Sequence, residues 1–177
     1  MVFAAERAKS EVWQGLDREG QRSGCIRESG GYPPHFKMVI TEIFKSIQGE
    51  GTRAGLPCIF VRLTGCNLRC TWCDTAYAFH GGKKMSVEEV LARVDELAGR
   101  REGPSGRKAS VPLVELTGGE PLLQEEIVPL AEKLIAAGYA VMMETSGERF
   151  IGSLPGEVIK IVDAICIREQ QRREVQL

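Results

Sequence analysis

The stretch Cys58-Ile59-Phe60-Val61-Arg62-Leu63-Thr64-Gly65-Cys66-Asn67-Leu68-Arg69-Cys70-Thr71-Trp72-Cys73-Asp74 joins a strand-like apolar run to a loop carrying three thiols. Cys58 to Leu63 is short, rich in β-branched and aromatic residues, and reads as a strand. Its C-terminal end delivers a C-x3-C-x2-C loop. Thiolates are the usual ligands of iron–sulfur clusters, and a four-iron cube takes four, so three close cysteines leave one iron open to a substrate or cofactor. Two other readings of the same residues stand beside this one. A zinc site needs four ligands, for which His80 is available, and cysteine is also common as a small buried residue. The polar Asn67, Arg69 and Thr71 between the thiols weigh against simple burial.

From Met38 onward, strands alternate with helices around this stretch. Val39-Ile40-Thr41-Glu42-Ile43-Phe44 is the first coherent apolar pattern. After the cysteine loop, Ser86 and Glu89 form a capping box, with Met85 able to staple onto Val90. Val87, Val90, Leu91, Val94 and Leu97 continue one helical face, and Gly99 ends it. Gly103 to Ser110 reads as a polar connection. A strand over 111–116 then runs into Thr117-Gly118-Gly119-Glu120-Pro121, followed by a helix over 124–137 that stops at Gly138. A third strand, 139–143, ends in Glu144-Thr145-Ser146-Gly147, and a fourth apolar run over 158–167 follows a short helical turn. Strands alternating with helices of this length predict right-handed βαβ units and a parallel sheet or barrel. Each polar motif then falls just after a strand, at the rim where parallel α/β folds place their sites.

The 177 residues carry 43% apolar and 27% charged content, enough for one core, and six cysteines. A net charge of -1 supplies no footprint for nucleic acid or a membrane surface. No apolar run approaches the roughly 20 residues that span a bilayer, and the first thirty lack the apolar middle of a secretory signal, so the cytosol is the expected compartment. Reduced thiols agree with it. Residues 1–37 are polar, of mixed charge and without period, an extension too poor in apolar residues to order itself, and Met38 is an expected translation start. Cys58 and Cys166 read as buried strand residues; Cys25 fits no pattern.

Gly118-Gly119-Glu120-Pro121 offers two residues without side chains, then a carboxylate and a fixed turn. Alone it is also an ordinary strand-to-helix turn with Glu120 near a helix N-terminus. Together with the cysteine loop one βα unit earlier, it resembles the radical S-adenosylmethionine superfamily, in which three cysteines hold a four-iron cluster and a Gly-Gly-Glu motif binds the methionine amino group. The resemblance runs from about Met38 to about Ile167. Within the superfamily, Ser46-Ile47-Gln48-Gly49-Glu50-Gly51, Val61-Arg62-Leu63-Thr64-Gly65, Cys73-Asp74-Thr75, Thr117 and Glu144-Thr145-Ser146-Gly147 are similar to the 7-carboxy-7-deazaguanine synthases.

That resemblance implies a carbon–nitrogen lyase of queuosine and 7-deazapurine synthesis, converting 6-carboxy-5,6,7,8-tetrahydropterin to 7-carboxy-7-deazaguanine with loss of ammonia. It implies a [4Fe-4S] cluster on Cys66, Cys70 and Cys73, S-adenosyl-L-methionine, and Mg2+ with an oxygen from Thr75. Ile47, Gln48, Gly49, Arg62 and Thr117 would meet the substrate, Arg62 by forking onto its carboxylate; otherwise Arg62 is a strand-end arginine paired with a neighbouring acid. Trp72, Asp74, Gly119, Glu120 and Ser146 would meet the cofactors. An external electron donor such as flavodoxin or ferredoxin and a homodimer are implied as partners. No catalytic acid or base is named. Beyond Ile167 the chain departs from the family, without its Asp-x-Lys-like segment and further βα units. The expected fold is therefore α/β, a partial parallel (β/α) barrel of the radical S-adenosylmethionine type cut short at its C-terminus. Its parts are the 1–37 extension, the 38–167 domain and a polar tail over 168–177. Rival functions are a glycyl-radical activase of the same superfamily and a non-enzymatic iron–sulfur electron carrier.

Overall fold

A six-stranded mixed sheet organises the computed structural model, which describes residues 37–99, 101–103 and 106–163. Strand β1 (Met38–Ile47) pairs antiparallel with β2 (Pro57–Leu63), and β3 (Lys83–Met85) pairs antiparallel with the start of β1. Helix α1 (Val87–Leu97) follows, then a small antiparallel ladder of β4 (Arg101–Gly103) and β5 (Gly106–Lys108). Next come β6 (Leu113–Gly118), α2 (Ile127–Ala136), β7 (Ala140–Thr145) and β8 (Ile159–Val162). The order across the sheet is β3-β1-β2-β6-β7-β8, with β2, β6, β7 and β8 parallel.

The parallel expectation therefore holds for four strands and fails at one edge. Only the short segment 48–56 joins β1 to β2, too little chain for a crossover, so the pair must run antiparallel. Element bounds shift for equally physical reasons. The strand expected at 111–116 lies at 113–118, because Ser110 and Val111 turn their N–H groups to Ala98 O at the end of α1. The helix expected at 124–137 begins at Ile127, after a 3-10 turn over Pro121–Leu123, since the Gln124 side chain is bonded elsewhere. The third strand lies at 140–145 rather than 139–143, and the connection at 103–110 contains part of the β4-β5 ladder. A 3-10 turn over Ile151–Ser153 precedes β8. The 1–37 extension up to residue 36, Cys25, Cys166 and the tail over 168–177 lie outside the described residues.

Helix α1 starts where the sequence places it. Ser86 Oγ accepts from Glu89 N at 3.2 Å and Glu89 Oε2 accepts from Ser86 N at 2.7 Å, closing the capping box. Val87, Val90 and Val94 are buried, with Leu91 and Leu97 packed at their flank. These side chains and Leu130 and Leu134 of α2 cover one face of the sheet, formed by Ile59, Val61, Leu63, Val114, Leu116, Val141 and Met143. Each such burial contributes about 1.5–3 kcal/mol before entropy is subtracted. The period of two sends the alternate residues to the opposite, helix-free face. There Cys58, Leu113 and Met142 form a small apolar floor with Phe60, Ile159 and Ile161, and Phe44 stacks on Phe60 at 5.2 Å between centroids. Cys58 is fully buried, as expected, and its thiol is pushed up to about 12 by burial and the nearby Glu115 charge. No helix of the described residues is long and apolar enough to cross a membrane.

Candidate active site

Above that floor the inner face turns polar, at the C-terminal ends of β2, β6 and β7. A pocket of about 430 Å³ opens there, lined by Cys66, Cys70 and Cys73 on one side and by Gln48, Glu115, Thr117 and Glu144 on another. Two braces hold the cysteine loop over it. Gln124 Nε2 donates to Thr64 O at 2.9 Å and to Val39 O at 3.0 Å, while its Oε1 accepts from Val39 N at 2.7 Å. Thr41 and Thr64 hydroxyls meet at 2.6 Å, and Gly65 N, on a residue with φ of 100°, donates to Ala78 O at 2.8 Å.

The three thiols are half-buried and line one pocket. Burial raises the Cys66 thiol, the Leu68 N–H that it accepts at 3.4 Å lowers it, and the neighbouring Glu120, Cys70 and Cys73 raise it further. A positive metal centre would overcome that preference for the protonated form, which couples binding to proton release. Among the described residues no three His, Cys, Asp or Glu side chains stand close enough to hold a single ion. Three thiols on one pocket wall match a cluster that keeps one iron open better than a zinc site, which takes four ligands. His80, the possible fourth zinc ligand, is exposed, packs edge-on against Phe79 and is not on the pocket wall.

Gly118 and Gly119 let the β6 turn lie directly against this loop. A Cβ on Gly118 would come within 2.3 Å of Leu63 O, and one on Gly119 within 2.1 Å of Gly65 O and 2.8 Å of Cys66 Cβ. Glu120 N donates to Gly65 O at 2.8 Å across the same seam. The Glu120 carboxylate is fully buried and is not part of the pocket lining. Its Oε1 accepts from Thr145 Oγ1 at 2.8 Å and Leu122 N at 3.1 Å, and its Oε2 from Ser146 Oγ at 2.7 Å and Ser146 N at 3.0 Å. Of the residues expected at the cofactors, Trp72, Asp74, Gly119 and Ser146 line the pocket, with Trp72 half-exposed at its rim. Glu120 stands behind the wall and ties it to the loop after β7.

On the substrate side, Gln48, Gly49, Arg62 and Thr117 line the pocket, and Ile47 does not. Strand alternation puts Ile47 on the face of Ile43, and its side chain is exposed. Arg62 is paired: its Nε donates to Glu42 Oε1 at 2.9 Å, Tyr77 OH donates to the same oxygen at 2.8 Å, and the guanidinium lies 5.8 Å from the Tyr77 ring centroid. Those contacts anchor it to the pocket wall. Thr75 lines the pocket with its hydroxyl donating to Asp74 Oδ1 at 2.7 Å, which puts two oxygen-bearing side chains of the kind a hard cation takes side by side.

Two carboxyls to which the sequence motifs assign no role, Glu115 and Glu144, line this pocket. Glu115 is buried in β6, and half-buried Glu144 stands on adjacent β7. Gln48 Nε2 donates to Glu115 Oε2, Gln48 Oε1 accepts from Glu50 N at 2.9 Å, and Thr117 Oγ1 donates to Glu144 Oε2 at 2.9 Å. Burial, then repulsion from Glu144 and a hydrogen bond with it, push the Glu115 carboxyl up to about 7, against the lowering effect of Gln48; Glu50 adds a smaller upward push. A charged residue in the middle of an otherwise apolar strand was the available signal.

Comparisons with known proteins bear on the family of the chain. The radical SAM superfamily profile matches residues 60–166, more than half of the chain. A 7-carboxy-7-deazaguanine synthase from Koribacter versatilis is 57% identical over 130 residues, covering 73% of this chain and 53% of that protein. Another, from Thermoplasma acidophilum, is 46% identical over 110 residues, covering 62% and 47%. The crystal structure of QueE from Escherichia coli superposes with a TM-score of 0.60 at 28% identity, covering 72% of this chain and 60% of that one. The chain spans about half the length of the curated relatives it matches. With three thiols and a glycine turn sharing one pocket, and with the profile match across them, the chain belongs to the radical S-adenosylmethionine superfamily, whose cofactors are a [4Fe-4S] cluster and S-adenosylmethionine.

Proposed function

We propose that the chain acts as a 7-carboxy-7-deazaguanine synthase, a lyase that converts 6-carboxy-5,6,7,8-tetrahydropterin to 7-carboxy-7-deazaguanine with loss of ammonia. The observation that carries this reading is that Gln48, Gly49, Arg62 and Thr117 line the same pocket as the three thiols. The synthase name borne by a relative 57% identical to this chain supports it and weighs against an activase or an electron carrier. The cluster and S-adenosylmethionine, when bound, supply the one-electron chemistry, and the protein orients and shelters. Cys66, Cys70 and Cys73 hold the cluster. Gly119 and Ser146 border the methionine end of the cofactor, with Glu120 bracing them from behind, and Trp72 and Asp74 lie toward the rim. Arg62, held by Glu42, meets the substrate carboxylate, and Thr117 and Gly49 flank the ring. Thr75 offers magnesium an oxygen. A small flavodoxin- or ferredoxin-type electron donor, a homodimer and a cytosolic location complete the reading.

The test is anaerobic incubation of the reconstituted full chain with the pterin, S-adenosylmethionine, magnesium and reductant, followed by mass analysis of the product. Conversion with loss of ammonia is expected, and alanine at Cys66, Cys70 or Cys73 should abolish cluster assembly. Reductive cleavage of S-adenosylmethionine with no consumption of pterin would refute the synthase reading while leaving superfamily membership intact.

A further inference from the structure

Among the described residues, Glu115 and Glu144 are neighbouring carboxyls of the pocket wall that hold neither the cluster nor S-adenosylmethionine in the proposed function. They stand on adjacent parallel strands, on the same face of the sheet, and both line the pocket wall. Two carboxyls side by side on neighbouring strands, one of them buried, resist ionising together unless a cation compensates them. The arginine on the same wall, Arg62, is held by Glu42. The other charged or titratable groups that bear on Glu115 raise the cost: Glu50 is acidic, and Cys58 beneath it is a buried thiol. Each carboxyl is steered by a donor, Gln48 for Glu115 and Thr117 for Glu144, so the pair has a fixed geometry. Glu115 is 3% exposed, whereas Glu144 on the same pocket wall is only half-buried and is the more accessible of the two.

We propose that Glu115 and Glu144 share one proton, and that Glu115 is a positioning residue that holds this proton at Glu144, so the pair takes a proton from the substrate and returns one to the departing amine. This rests on the lyase reading for its chemistry. Loss of ammonia from an H–C–C–NH2 unit turns the C–H electron pair into a C=C bond and sends the C–N pair away with nitrogen. The carboxylate of the pair takes the C–H proton, and the acid gives its own proton to the nitrogen, which leaves as ammonia. The pair ends as it began, one acid and one carboxylate, and no oxidant or reductant is consumed.

The experiment has two arms on the full chain. In the first, infrared difference spectroscopy of the unaltered protein, Glu115→Gln and Glu144→Gln follows carboxyl protonation across neutral pH, with and without magnesium. One protonated carboxyl is expected on the acid side of neutrality, absent from both variants and insensitive to magnesium. Two ionised carboxylates there, a signal that survives Glu115→Gln, or one abolished by magnesium, overturns the shared proton. In the second arm, turnover of the pterin by Glu115→Gln should fall in kcat by about a hundredfold, in the range of lost acid–base catalysis, with KM within about twofold. The inflection near neutral pH should disappear and return with Glu115→Asp. An unchanged kcat and pH profile overturns the positioning role. Absence of turnover by the unaltered chain counts against the lyase reading instead, and the spectroscopic arm decides the shared proton without it.

Discussion

Replacing Gly119 by alanine tests the contact on which the whole site depends. An added methyl would lie 2.1 Å from Gly65 O, 2.6 Å from Gly65 C and 2.8 Å from Cys66 Cβ, and the nearest of these are backbone atoms that cannot rotate away. Reaching ordinary contact at 3.4 Å requires the β6 turn and the cysteine loop to part by about 1.3 Å. That movement stretches the two bonds of the seam, Gly119 N to Leu63 O at 3.3 Å and Glu120 N to Gly65 O at 2.8 Å. Overpacking of this kind costs about 1–3 kcal/mol, and two weakened hydrogen bonds add about 1 kcal/mol each. A displacement of about 1 Å beside a reacting centre costs roughly a hundredfold in rate. The expected outcome is therefore a folded protein, melting on the order of 10 °C lower, with diminished iron after anaerobic reconstitution and roughly a hundredfold slower reductive cleavage of S-adenosylmethionine. Gly156→Ala, where the methyl meets nothing within 4 Å, is the control and should match the parent in both. If Gly119→Ala bound iron and cleaved S-adenosylmethionine at the parental rate, the argument that the cysteine loop is seated on this glycine would be wrong.

Three further outcomes follow from the same coordinates. The Glu115 carboxyl is raised in the folded state from 4.5 to about 7, so the folded protein binds more protons than the unfolded one between those values. Stability should fall by on the order of 3 kcal/mol as pH rises through that window; Glu115→Gln should flatten the urea-midpoint profile there, and an equally steep profile in the variant would refute the assignment. Glu120→Ala leaves Thr145 Oγ1, Ser146 N and Leu122 N without their acceptor, and at about 1–3 kcal/mol per buried unsatisfied group it should destabilise more than any single loss at the pocket rim, read by thermal denaturation. Ser86→Ala removes the α1 cap and should cost about 1 kcal/mol in chemical denaturation with no change in cluster content.

Local signals were legible where one segment contains the whole interaction. The capping box at Ser86 and Glu89 spans four residues and is formed as read. So is the strand that feeds the cysteine loop, and the two glycines that sit where close approach is needed. The departures all involve partners far apart in the chain. Glu120 looked like a pocket residue from its motif, but Thr145 and Ser146 claim it. Arg62 takes the alternative that the sequence leaves open, an acid partner, but that acid is Glu42 across an antiparallel pair that the expected parallel sheet did not contain. Gln124 was assigned to a helix, and instead braces β1 and the cysteine loop.

The residue pattern alone therefore settled which chemistry the chain can support: three thiols at cluster spacing, a glycine turn one βα unit later, and strands that end beside both. Spacing, periodicity and capping are properties of neighbouring residues, and such terms act before the chain has folded. Which side chains meet in the pocket was a matter of register between strands. Glu115 and Glu144 become a pair because β6 and β7 align Leu116 with Met143, and Gln48 reaches Glu115 because β1 turns back antiparallel on β2. A slip of one residue would send every side chain of a strand to the opposite face. Packing of Val61, Leu116 and Met143 against the helices fixes that register, and the carboxyl pair exists only as its consequence.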